Sequence, residues 1–250
     1  MEACATSLRQ RRASGELGFN PAGSHRAKGD EKAGPWYPPS RMITLAIDTS
    51  TARGSVALLA YGEVAFEENF SADRTHTARL FTALQTARTR ARHINRLAIG
   101  LGPGSYAGVR IAIAAAIGMQ LAHDCELVGL PSVAALEHGW KRSLVIGDAR
   151  RGLFYCTSVE NGVCIDGPVL LGEMELRERI DGLGWPVFTT ERIDTFPTSQ
   201  IALPSAAVLA RLAAQPMSVV QRGDLEPLYL REPHITQPKV RPGAAAIIVE

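Results

Sequence analysis

The sequence predicts an α/β layer fold with a mixed sheet, on three observations. From residue 42 the chain runs strand, strand, strand, helix, strand, helix. The first strand, Ile43-Thr-Leu-Ala-Ile47, is apolar almost throughout, as a strand covered on both faces should be. The helix at 106–122 is apolar on nearly every side, so it too asks for cover from more than one layer.

Each element has its own signal. The first strand ends in Asp48, and 55–61 and 63–70 read as two more strands joined by a tight turn at Gly62. A helix is expected over 75–92, with Leu80, Phe81, Leu84, Ala87 and Ala91 on one stripe and Arg79, Thr82, Thr86 and Arg90 opposite. A short strand at 96–101 meets the turn Gly102-Pro-Gly-Ser105, which leads into the Ala-rich helix. A strand at 127–130, a helix from Ser132, and a hairpin of 144–146 with 154–159 follow. Short helices near 173–180 and 205–214 precede a Pro-rich tail. No internal repeat with a short, solenoid-like period is visible.

Composition bounds the function classes. The 250 residues carry a formal net charge of +2, but residues 1–41 hold seven Lys or Arg against four Asp or Glu. The remainder is slightly acidic, with 20 basic against 21 acidic residues, which is not the electrostatic footprint of a stand-alone nucleic-acid binder. Any RNA contact requires a local patch or a partner. Cys4, Cys125, Cys156 and Cys164 form no Cys-x-x-Cys pair, so free thiols in a reducing compartment are expected. The longest apolar stretch, 106–122, is interrupted by Arg110 and Gln120 and falls short of the roughly 20 residues of a membrane span. Residues 1–41 lack apolar periodicity and are expected to be disordered, with Met42 a candidate start and a transit peptide the rival account.

Two segments are candidate sites. Asp48-Thr-Ser-Thr51 closes the first strand; a carboxylate and hydroxyls there suit a metal ion or phosphate, or equally a turn capped by its own side chains. Gly102-Pro-Gly-Ser-Tyr-Ala-Gly108 lies between strand and helix, where free N–H groups attract anions and Ser105 is a good N-cap. It is neither a dinucleotide fingerprint nor a Walker A loop. Asp148-Ala-Arg-Arg151 reads as a charged, solvated hairpin turn. The six histidines never approach within a helical turn in sequence, no Gly-Gly pair occurs, and no Gly-x-Ser-x-Gly elbow is present.

As a string, Gly102-Pro-Gly-Ser-Tyr-Ala-Gly-Val-Arg-Ile-Ala-Ile-Ala-Ala-Ala-Ile-Gly118 resembles the signature segment of the TsaB (YeaZ) family. Leu45-Ala-Ile-Asp-Thr-Ser-Thr51 with Ser55-Val-Ala-Leu58, Asp148-Ala-Arg-Arg-Gly152, and Pro227-Leu-Tyr-Leu-Arg-Glu-Pro233 match in the same order, so the resemblance spans 42 to about 236.

That resemblance implies a degenerate actin-like (ASKHA) fold of two lobes with mixed sheets. The first lobe is expected at 42–147 and a compact second lobe at 148–236, flanked by the extension 1–41 and a flexible tail at 237–250. It implies a non-catalytic subunit of tRNA threonylcarbamoyladenosine modification, cytoplasmic and without cofactor, metal or membrane contact. The subunit would pair with and activate TsaD, or pair with itself, and would meet TsaE and tRNA through that complex. Asp48, Thr49, Gly102, Gly104 and Ser105 would then be vestiges of phosphate loops, though Ser50 stands where superfamily ATPases usually have Gly. Leu80, Leu84, Ala87, Val109, Arg110, Ile113 and Ile117, on the two helices, would form the partner interface. The alternative is a small-molecule ATPase or kinase using Asp48 and the 102–105 loop.

Overall fold

Alternation of large and small side chains along the first strands decides what packs on each face of the sheet. In the computed structural model, which describes residues 42–71, 76–91, 93–215 and 218–230, strands β1 (Ile43–Asp48), β2 (Arg53–Ala60) and β3 (Glu63–Ser71) form an antiparallel meander. Helix α1 (His76–Arg90) leads to β4 (Arg96–Gly100), and α2 (Tyr106–Ala122) to β5 (Glu126–Leu130), both strands running parallel to β1. Leu45, Ile47, Val56, Leu58, Leu97 and Ile99 face one way and join Leu80, Leu84, Ala87, Val109 and Ile113 of the two helices in one core. Ala46, Ala57 and Ala98 face the other way. Their small side chains let helix α4 (Ala206–Leu212), itself buried at Ala206, Ala207 and Ala210, come close to the sheet.

The second sheet repeats the scheme of the first. Strands β6 (Arg142–Asp148), β7 (Phe154–Glu160) and β8 (Val163–Leu171) form a second antiparallel meander. Helix α3 (Glu173–Leu183) then returns the chain to β9 (Val187–Thr189), parallel to β6. With β10 (Gln200–Ile201) and β11 (Gln221–Arg222), the orders are β11-β5-β4-β1-β2-β3 and β10-β9-β6-β7-β8. In each, the lead strand sits between a parallel and an antiparallel neighbour and ends in an aspartate, Asp48 or Asp148. The repeat is far longer than a solenoid period, so no short-period self-similarity in the sequence reports it.

The sheet changes between β5 and β6, and β11 carries the chain back to the first sheet. Residues of both sheets share one core: Ala46, Ala57 and Val128 from the first meet Val145, Tyr155 and Phe188 from the second around α4. A smaller cluster, Leu144, Ile146, Phe154 and Cys156 with Leu176 of α3, covers the outer face of the second sheet.

Two points of the sequence reading are corrected. The helix expected from Ser132 is a single 3-10 turn, Ser132–Ala135. Backbone bonds from Glu137 N to Leu203 O and from Ser205 N to Ala135 O, with a bridge between Leu136 and Pro204, draw the chain into extended pairing instead. Strand β8, which no sequence signal marked, is an edge strand, and Pro168 falls in the break of its register with β7, between the pairs Ser158↔Asp166 and Cys156↔Val169. Helix α2 is covered on one side only; Arg110, Ala114, Ile117 and Leu121 are exposed. The extension 1–41 and the tail 237–250 lie outside the described residues. Among the described residues, no helix is long and apolar enough to cross a membrane.

Candidate functional site

The turn after β1 and the start of α2 meet at one end of the first sheet. Asp48 is 1% exposed, and its Oδ1 accepts from the Ser50 backbone N–H at 2.9 Å and the Ser50 hydroxyl at 2.7 Å. Burial pushes its carboxyl above the usual carboxylate range, opposed in part by the Ser132 and Ser50 hydroxyls and the Ser50 N–H, and less by the Arg53 guanidinium. Oδ2 is buried without a full hydrogen bond; the Ser132 hydroxyl lies close enough to favour the charged form. A side chain at Gly100 would collide with that oxygen, so the carboxylate fits only because residue 100 has none.

The two loops are bonded to each other. The Ser105 N–H donates to Ser50 O at 2.6 Å, and the Thr49 hydroxyl donates to Gly108 O at 2.7 Å. Ser105 caps α2, its hydroxyl accepting from the Gly108 N–H, while the Gly102 N–H donates to the Ser132 hydroxyl at 3.0 Å. A Cβ at Gly104 would strike the Ser50 carbonyl, and one at Gly108 the Thr49 carbonyl. The five loop residues expected from the sequence, Asp48, Thr49, Gly102, Gly104 and Ser105, are thus brought together. The backbone of 49–51 occupies the space in front of the helix start, where N–H groups would otherwise hold an anion. Sequence inspection missed Gly100 and Ser132; Ser132 enters through a contact across the fold that no local pattern announces.

The expected interface residues divide. Leu80, Leu84, Ala87, Val109 and Ile113 are between 0% and 7% exposed and belong to the chain's own core, because the sheet claims the stripe of both helices. They are corrected from surface to core positions. Arg110 and Ile117 remain on the surface. With Ile117 at 43% exposure and Leu121 at 86%, the outer face of α2 is apolar and open. A groove of about 500 Å³ lined by Phe81, Arg88, Ile111, Gly118 and Met119 runs on one side of it. Another of about 420 Å³, lined by Ile113, Ile117, Leu225, Pro227 and Tyr229, runs on the other. Arg110 donates to the Tyr229 hydroxyl and lies 3.9 Å over the Tyr106 ring centroid, fixing the end of this face.

The matching turn of the second sheet is built differently. Arg150 and Arg151 have φ of 65° and 61°, followed by Gly152 at 71°. Left-handed backbone costs a residue with a Cβ roughly 1–2 kcal/mol, and hairpins ordinarily place Gly, Asn or Asp there. Asp148 holds the turn: its Oδ1 accepts from the Arg150 N–H at 2.7 Å and its Oδ2 from the Arg150 guanidinium at 3.1 Å. Arg151 is exposed. Among the described residues, no three His, Cys, Asp or Glu converge as a metal site would require.

The duplicated meander-and-crossover topology, with an aspartate-tipped hairpin on each sheet, defines a two-sheet α/β protein, here with the loops at one end of its first sheet closed on one another. The chain belongs to the TsaB family: it is 31% identical over 221 residues to the tRNA threonylcarbamoyladenosine biosynthesis protein TsaB of Escherichia coli K12, across 76% of this chain and 95% of that protein. The TsaB protein of Haemophilus influenzae is 27% identical over 222 residues, across 76% of this chain and 94% of its own length. A crystal structure from Pseudomonas aeruginosa, described as similar to the peptidase YEAZ, matches with a TM-score of 0.62 and 27% identity, across 76% of this chain and all of that one. The family model described as TsaD, tRNA N6-adenosine threonylcarbamoyltransferase, matches residues 71–169.

Proposed function

We propose that this protein acts in tRNA threonylcarbamoyladenosine biosynthesis as a non-catalytic subunit that pairs with TsaD in the cytoplasm. The outer face of α2 carries the proposal: Ala114, Ile117 and Leu121 are exposed on the most apolar helix among the described residues, between two grooves. A contiguous apolar face of that kind marks a protein interface, which needs about 1,200–2,000 Å² in total to be stable. The partner would be TsaD, joined by TsaE and tRNA in the larger assembly, with a homodimer as the assembly formed in its absence. The closed loop pair supports the non-catalytic part. Asp48 is buried beneath Ser50, and the Ser105 N–H is already bonded to Ser50 O, so neither is offered to a nucleotide.

The test is co-expression with TsaD from the same organism, followed by assay of tRNA modification and of ATP turnover by the isolated chain. The expected result is a stable pair that supports modification, and a chain that alone hydrolyses no ATP with Mg²⁺. ATP turnover by the chain alone would establish a small-molecule ATPase instead, and failure to pair would remove the subunit reading.

A further inference from the structure

The turn Asp148-Ala-Arg-Arg-Gly152 has no role in the interface on α2 or in the closed loop pair, yet it holds a costly conformation. Two consecutive arginines sit in the left-handed region at φ 65° and 61°, where Asn-Gly would sit without strain. The surroundings determine this conformation strongly. Asp148 clamps the Arg150 N–H and guanidinium, and the Ala149 N–H donates to Leu153 O at 2.9 Å across the base of the turn. Ile146, Phe154 and Cys156 anchor the two strands behind it in core. Strain that persists on a rigid mount points to a function for the residues that bear it.

The two arginines are not equivalent. Asp148 neutralises Arg150, and on the neighbouring loop Asp194 pairs with Arg192 while Glu191 adds a negative charge. Arg151 is exposed and makes no ion pair among the described residues. Its guanidinium offers a planar fork of donors that fits an oxyanion in two-point contact. Residues 42–250 carry 20 basic against 21 acidic residues, so an RNA contact must come from such a local group and not from a general positive field.

We propose that the Arg150–Arg151 turn is an RNA-backbone contact, in which Arg151 grips one phosphate of the bound tRNA while Asp148 and Arg150 hold the turn in shape. This rests on the tRNA-modification reading above and adds to it a contact on the second sheet, away from the α2 face. It is strained because Asn-Gly, the relaxed solution, would place no guanidinium at the tip.

The experiment is a salt titration of binding between the pair with TsaD and an unmodified transcript of a tRNA that reads a codon beginning with A. Arg151→Ala is expected to weaken binding roughly tenfold at moderate salt and to lower the slope of log K against log salt by about one. Arg151→Lys should keep the slope but lose part of the affinity, since the charge remains and the fork does not. The double change Arg150→Asn with Arg151→Gly should weaken tRNA binding while raising Tm by roughly 2–6 °C, because the strain is relieved. Co-purification with TsaD is measured on every variant and should not change. An unchanged slope and affinity for Arg151→Ala, a lower Tm for the double variant, or a loss of TsaD pairing in place of tRNA binding would each overturn the proposal. If the wild-type chain fails to pair with TsaD, the same titration on the chain alone decides the turn's role separately. A slope lowered by Arg151→Ala would keep the RNA contact, and no salt-dependent binding would end it.

Discussion

The Ser105 N–H donates to the Ser50 carbonyl over 2.6 Å, so the first turn of α2 is bonded to the loop that follows β1. That bond, with the Thr49 hydroxyl on Gly108 O, makes the two loops one structural unit and brings their backbones too close for a Cβ at 104 or 108. Gly104→Ala or Gly108→Ala is therefore expected to destabilise the fold by about 1–3 kcal/mol, the range for overpacking a close contact. Urea unfolding checks this. A midpoint unchanged for both would mean that the loops can part at little cost.

Asp48 is the group whose ionisation should matter most to stability. Its carboxyl is raised above the usual range in the folded chain, first by burial, so the folded state holds the proton more tightly than the unfolded state. Asp48 thus contributes most favourably below the ordinary carboxylate pKa, and that contribution is lost as pH rises through its folded value. Asp48→Asn keeps an oxygen to accept from Ser50 and removes the buried charge. We expect a higher Tm than wild type near neutral pH, with the gap closing as pH falls toward 4, roughly the ordinary carboxylate range. A gap that widens on acidification would contradict the sign.

A charge at Ala87 does not probe a partner surface, because Ala87 is 0% exposed and packed in the core of the first sheet. Ala87→Glu should unfold the chain or cost more than about 3 kcal/mol, as burying an unpaired charge does. Ile117→Glu and Leu121→Glu lie at 43% and 86% exposure and should change stability by under about 1 kcal/mol while abolishing co-purification with TsaD. Retained pairing in both would place the interface elsewhere.

Residues 1–41 show neither apolar periodicity nor any of the family's motifs. A chain beginning at Met42 should keep the Tm of the full chain within about 2 °C and its affinity for TsaD within about threefold. Thermal unfolding and a binding titration test both, and a clear drop in either would assign the segment a docked role.

The sequence by itself determined β1 to β7, the four helices and the class. A run apolar almost throughout marked β1, and Ser105 before an apolar run marked the start of α2. The family was legible in the strings around Asp48, Gly102 and Asp148. Only the tertiary structure decided which side of α2 is buried. A helix apolar nearly all round has no strong periodic bias, so its pattern cannot say which stripe meets the sheet. The sheet decides: Leu45, Ile47, Leu97 and Ile99 already fill that layer, and it accepts the side of α2 carrying Gly108, Val109, Ala112, Ile113 and Ala116 while Ile117 and Leu121 turn outward. The closure of the Asp48 loop was hidden for a related reason. It depends on Gly100 and Ser132 arriving beside Asp48 from two other segments, and contacts between residues far apart in the chain leave no local signature.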